Sequence, residues 1–158
     1  MEKIGSSSDR DIYYVHTIGN DGWESALPTD NWCAFTMVNT EGSGCIDRLA
    51  RISLDSNVSY ICCAGELAGE TELAFDTEIV RRAIEQEDRS GIPADYESVP
   101  LTTVHRDLGE GLWFAIAVAT RGDDEIDKVV CIDVTSEGVL EQLKSIVNNI
   151  NSGWLPPD

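Results

Sequence analysis

Four short apolar runs, each followed by a stretch with helical spacing, organise the chain from Trp32 onward. They are Trp32–Asn39, Val58–Gly65, Val99–His105 and Lys128–Val134. Strands that alternate with helices need crossover connections rather than tight hairpins, and that implies a mostly parallel sheet. The pattern predicts one three-layer α/β domain of Rossmann/flavodoxin-like type, with four or five strands and helices on both faces. Numbering the four runs in chain order, a doubly wound 2-1-3-4 arrangement is expected. Residues 1–11 are polar and serine-rich and read as a flexible N-terminal arm, which leaves 12–158 for a single domain.

Within that frame the helices can be placed. Ser43 is positioned to cap a helix whose Ile46, Leu49, Ala50 and Ser53 share a face. Asp76 is placed to cap Thr77–Asp88, with Ile79, Val80, Ala83 and Ile84 as its buried stripe. Leu112–Ala119 suits a buried helix better than a strand, because its alanines favour the helix. The last helix is the clearest: Val139, Leu140, Leu143, Ile146, Val147 and Ile150 keep a 3.6-residue period, with Ser136 as a candidate cap.

Charge narrows the partners. The 158 residues carry 29 acidic and 11 basic side chains, a net charge of −18. Such a field repels nucleic acid and anionic membranes and speeds encounter with basic proteins. The longest apolar run, Leu112–Ala119, is well short of a membrane span, and no apolar leader opens the sequence. Four of the five cysteines fall inside the strand-like runs, where a thiol behaves as a small hydrophobe. These features together suit a cytoplasmic protein.

Ligands in open α/β sheets bind outside the carboxyl ends of the strands. Glu41, Ser43, Gly65, Glu66 and Asp133 are therefore the candidate ligand-binding residues, and Cys63 and His105 the candidate catalytic pair. A thiol beside an imidazole is the minimum for thiolate nucleophilic catalysis, since the base eases ionisation of the thiol. Cys63 also lies in an apolar run, which reads as core. The turn Glu41-Gly42-Ser43-Gly44 could cradle a phosphate, but Asp47 stands where a dinucleotide fingerprint needs its third glycine. No cofactor motif and no zinc spacing is present, so neither a cofactor nor a metal is expected.

Tyr60-Ile61-Cys62-Cys63-Ala64-Gly65-Glu66, with Leu101-Thr102-Thr103-Val104-His105 and Leu112-Trp113-Phe114-Ala115, resembles an uncharacterised family of small bacterial α/β proteins with no assigned activity. The resemblance implies that Leu112–Ala119 is helical and that Cys63, Glu66 and His105 cluster. Val104 and Arg106 depart from the aromatic and acidic residues expected there. The leading expectation is an acidic interaction or regulatory domain, such as an immunity-type partner that neutralises a basic enzyme. A small enzyme with a Cys63–His105 site and a small-molecule-binding module at the carboxyl ends of the strands are the alternatives.

Overall fold

The computed structural model describes residues 1–158 as one α/β domain with a six-stranded, mostly parallel sheet and four helices. The strands are β1 Glu2–Ser7, β2 Arg10–His16, β3 Trp32–Val38, β4 Tyr60–Ala64, β5 Leu101–Val104 and β6 Lys128–Val134. The helices are α1 Ile46–Asp55, α2 Ala68–Ser90, α3 Leu108–Ala117 and α4 Leu140–Asn151. Across the sheet the order is β1-β2-β6-β3-β4-β5, and only β1 is antiparallel to its neighbour.

The central strands are hydrophobic on both sides because helices cover both faces. Along β3, Cys33, Phe35 and Met37 join a core built with Leu112 and Ile116 of α3 and Leu143 and Val147 of α4. Trp32, Ala34 and Val38 join a second core with Leu49 of α1 and Phe75 of α2. Fully burying a side chain such as Phe35, Ile132 or Leu143 contributes about 1.5–3 kcal/mol each.

The sheet has six strands rather than the four or five expected, and further expectations are corrected. The four main runs lie in the order 4-1-2-3 rather than 2-1-3-4, since β6 pairs with β3 and β4 lies between β3 and β5. Residues 1–11 do not stand apart as an arm, because β1 pairs with β2. Ser8 and Asp9 make the two-residue turn with φ of 52° and 61°. Two left-handed residues in succession match the twist of a hairpin, even without the usual glycine. Finally, α2 begins eight residues before Asp76, whose side chain accepts a hydrogen bond from Thr102 on β5 at 2.7 Å.

Leu112–Ala119 is helical over most of its length, inside α3. Asp107 caps that helix by accepting from the Glu110 amide at 2.7 Å. At the other end the Arg10 guanidinium donates to the carbonyls of Ala115 and Ala119, each at 2.6 Å. A cation there satisfies orphan carbonyls and complements the helix dipole. Ser43 and Ser136 do not cap. Ser43 lies within a 3-10 turn spanning Thr40–Cys45, and α4 is started instead by Asp133.

Candidate functional site

The carboxyl ends of the strands carry the residues named from sequence, but they do not form one pocket. Connections leave β3 and β6 toward opposite faces, so a crevice is expected between their ends. The chain closes it. A Cβ on Gly42 would lie 2.3 Å from the Val134 carbonyl oxygen, so only glycine lets the turn after β3 press onto the end of β6. Thr40 donates to Glu66, which brings the turn after β3 beside the turn after β4. Glu41, Gly65 and Glu66 are exposed there, as is Ser43, and Gly65 takes φ +88° against the Val38 backbone.

Asp133 is completely buried. One carboxylate oxygen accepts from the Thr135 amide at 3.0 Å and the Thr135 hydroxyl at 2.6 Å. The other accepts from the Tyr14 hydroxyl at 2.6 Å and the Val139 amide at 2.7 Å. Its partners are thus all internal, and the α4 N-terminus already holds an anion supplied by the chain. Burial, then the bond to Asp133, pushes the Tyr14 phenol well above its ordinary range.

His105 follows β5, and three strand spacings, about 14 Å, separate β5 from β6. Asp133 therefore does not orient the imidazole. Cys63 does not meet it either. Successive residues of a strand face opposite sides, and Cys63 points into the core beneath α1 and α2. There burial pushes its thiol up to about 12, assisted by Glu72 and Asp76. The residue facing His105 is Cys62, on the α3 side.

The group around His105 is closely built. One imidazole nitrogen lies 2.7 Å from the Thr103 hydroxyl and the other 3.4 Å from a Glu110 carboxylate oxygen. The ring packs against Phe114 at 4.8 Å between centroids. A Cβ on Gly111 would stand 2.8 Å from Phe35 and 3.1 Å from His105, so this glycine lets α3 settle over the imidazole. The Cys33 and Cys62 sulfurs lie 3.9 Å apart. Burial alone would raise the Cys62 thiol; the neighbouring Cys33, His105 and Thr103 overcome it and bring it down to about 6. His105 moves the other way: burial opposes its charge, while Cys62 and then Glu110 hold it above the ordinary imidazole range. The group is sealed from solvent, with Cys62 fully buried and His105 5% exposed.

A separate cleft lies at the opposite end of the sheet. Its volume is about 620 Å³, and it is formed beside the amino ends of the strands by the end of α1, the second half of α2 and the loops before β5 and β6. Helix α2 has 23 residues, about 34 Å, against about 17 Å for the five residues of β4. The helix therefore overhangs the sheet and walls the cleft. Arg82 and Arg121 line it with Asp30, Asp95 and Asp124. A smaller hollow of about 440 Å³ beside Tyr14, His16 and Gly138 opens near the start of α4.

A family model matches residues 12–150, described as a domain of unknown function, DUF7684. The chain belongs to that family. No curated protein and no solved structure matches it. The family match covers both cores, the His105 group and the cleft, and leaves out β1 and the last eight residues. No helix is long and apolar enough to cross a membrane.

Sequence reasoning missed Cys62, Thr103, Glu110 and Arg121. Strand parity pointed to Cys62 or Cys63 but could not choose a face. Asp107 followed three residues later by Glu110 is a helix-start signature, and it would have set Glu110 one turn from His105. Arg121 carries no local signal, because its surroundings come from three distant segments.

Proposed function

We propose that this chain is an acidic interaction domain of the cytoplasm, built on Rossmann/flavodoxin-like layering, that docks a basic protein through the outward side of α2. An immunity-type role in bacteria, neutralising a basic enzyme, fits this reading. The observation that carries it is an apolar stripe with no partner inside the fold. Ala68, Thr71, Phe75 and Ile79 are buried against the sheet and α1, whereas Leu73, Val80 and Ile84 are 67%, 43% and 50% exposed. At 3.6 residues per turn those three, with Thr77, align on the side opposite the buried one. Val80 and Ile84 were expected in the buried stripe; the register of Phe75 and Ile79 turns them outward.

Single exposed hydrophobics need no explanation, but an aligned row on a strongly charged chain does. Glu70, Asp76, Glu87 and Asp88 are exposed on the flanks of this row. The basic residues of α2 are occupied by acids of α2 and α1: Arg81 bonds Glu78 and Glu85, Arg89 bonds Glu85, and Arg82 bonds Glu78 and, on α1, Asp55. An apolar strip rimmed by unpaired carboxylates complements a basic partner with hydrophobic anchors. The test is capture and identification of partners at low salt, with wild type and the double variant Val80→Ser/Ile84→Ser. A basic protein retained by wild type and at least about tenfold weaker on the variant, with the fold intact, supports the reading. Failure to retain any basic protein, or equal retention by the variant, removes it.

A second reading is favoured by one arrangement, the Cys62–His105–Glu110 group. It has the nucleophile, base and orienting carboxylate of a thiol enzyme, with Cys62 where Cys63 was expected. Its burial leaves no room for substrate unless α3 moves, so it stands behind the interaction reading.

A further inference from the structure

From the cleft at the amino ends of the strands we infer a binding site for a small zwitterion of the α-amino-acid class with an apolar side chain. The site is independent of the α2 docking strip and is anchored by Arg121. That side chain donates through Nε to the Val99 carbonyl, while its Nη2 is buried with no acceptor in the fold. Arg121 lines a ligand-sized cleft, and beyond Nε its guanidinium has no acceptor in the fold, which leaves it donors to offer a ligand. The other arginine in the wall, Arg82, is already engaged by Glu78 at 3.0 Å and Asp55 at 2.8 Å.

The rest of the wall selects the ligand. A guanidinium binds carboxylates and phosphates alike. Asp124 is fixed to Arg121 by a backbone bridge in the same turn, and no ion pair joins their side chains. A carboxylate lining the same cleft as the guanidinium repels a polyanion but suits a ligand whose ammonium lies next to its own carboxylate. Asp30 and Asp95 add negative potential at the rim. Leu54, Ile79 and Val99 offer apolar surface for a side chain. A nucleotide is excluded by the same acids that admit an amine.

The probes are L-leucine and L-phenylalanine, with their N-acetyl derivatives lacking the ammonium and their amides lacking the carboxylate. Binding is followed by backbone amide shifts on isotope-labelled protein. Shifts at Ser59, Gln86 and Ser98 are expected with the free amino acids, and loss of either charge is expected to weaken binding about tenfold or more. Arg121→Gln should weaken it to a similar degree. Because Arg121 also holds the loop before β5, Ala83→Phe provides a second route, filling the cleft without touching that contact. Absence of cleft shifts with either amino acid at ~10 mM overturns the inference. So does equal binding of the N-acetyl or amide forms, or undiminished binding by the Ala83→Phe protein.

Discussion

A carboxylate with no access to water sets the strictest demand on any single position in this chain. Asp133 is fully buried and accepts four hydrogen bonds, and removing it would leave the Tyr14 hydroxyl and the Val139 amide unsatisfied together. Each stranded group costs about 1–3 kcal/mol, so Asp133→Ala should lose about 3 kcal/mol or more in urea unfolding. A loss below about 1 kcal/mol would show that the loop into α4 does not rely on this anion. The second residue-scale test concerns Cys62. Its folded pKa is depressed, so its contribution to stability is present above the ordinary thiol range and is lost as pH falls through about 6. His105 has the opposite sign: its folded pKa is raised, and its contribution is full below the ordinary imidazole range and lost as pH rises through the folded value. Cys63 is raised to about 12, and Cys33 and Cys131 are raised by burial, so of the four buried cysteines only Cys62 is brought down. Ultraviolet titration of thiolate should therefore show a step near pH 6 that both Cys62→Ala and His105→Gln abolish. Persistence of that step in either variant rules out the pair.

The same parity that separates Cys62 from Cys63 explains, at the scale of elements, what the sequence could tell. Strands β3, β4 and β6 were legible as short, nearly unbroken apolar runs, α3 by its alanine-rich apolar run, and α4 by a sustained 3.6-residue period. Their lateral order was not. Every residue of β3 and β4, and all but Lys128 of β6, is buried, so no polar face marks which strand sits next to which. The start of α2 was hidden for the opposite reason. Between Glu66 and Asp76 only Ala68, Thr71 and Phe75 pack fully inward, and acidic side chains fill the gaps, so the segment reads as a loop. The site followed from these two failures. Knowing that strands end near Glu41, Gly65, His105 and Asp133 located the rim correctly, but Gly42 closes it through a backbone approach that composition does not signal. The cleft at the other end depends on how far α2 overhangs β4, a length that could not be read once its first eight residues were missed.

At the scale of the molecule, 29 acids face 11 bases, and the bases are partly diverted from neutralising them. Arg10 serves the carbonyls at the end of α3, Arg121 serves Val99, and the arginines of α2 are shared among acids close by. The unpaired excess strains the folded state by repulsion, and it draws in a basic partner by the same field. Salt separates the two consequences. The Debye length falls from about 30 Å at 0.01 M to about 10 Å at 0.1 M, so added sodium chloride screens both repulsion within the chain and attraction between chains. Raising it from ~0.02 M to ~0.5 M should lift the thermal midpoint by a few degrees while weakening association with a basic partner about tenfold or more. Chloride is the suitable anion, because sulfate stabilises folded proteins by exclusion from their surface and would mask the screening. A midpoint that falls with salt would mean that local pairs such as Arg81 with Glu78 and Glu85 outweigh the repulsion. The acidity would then carry no cost to the fold, and the charge would lose its force as an argument for a partner.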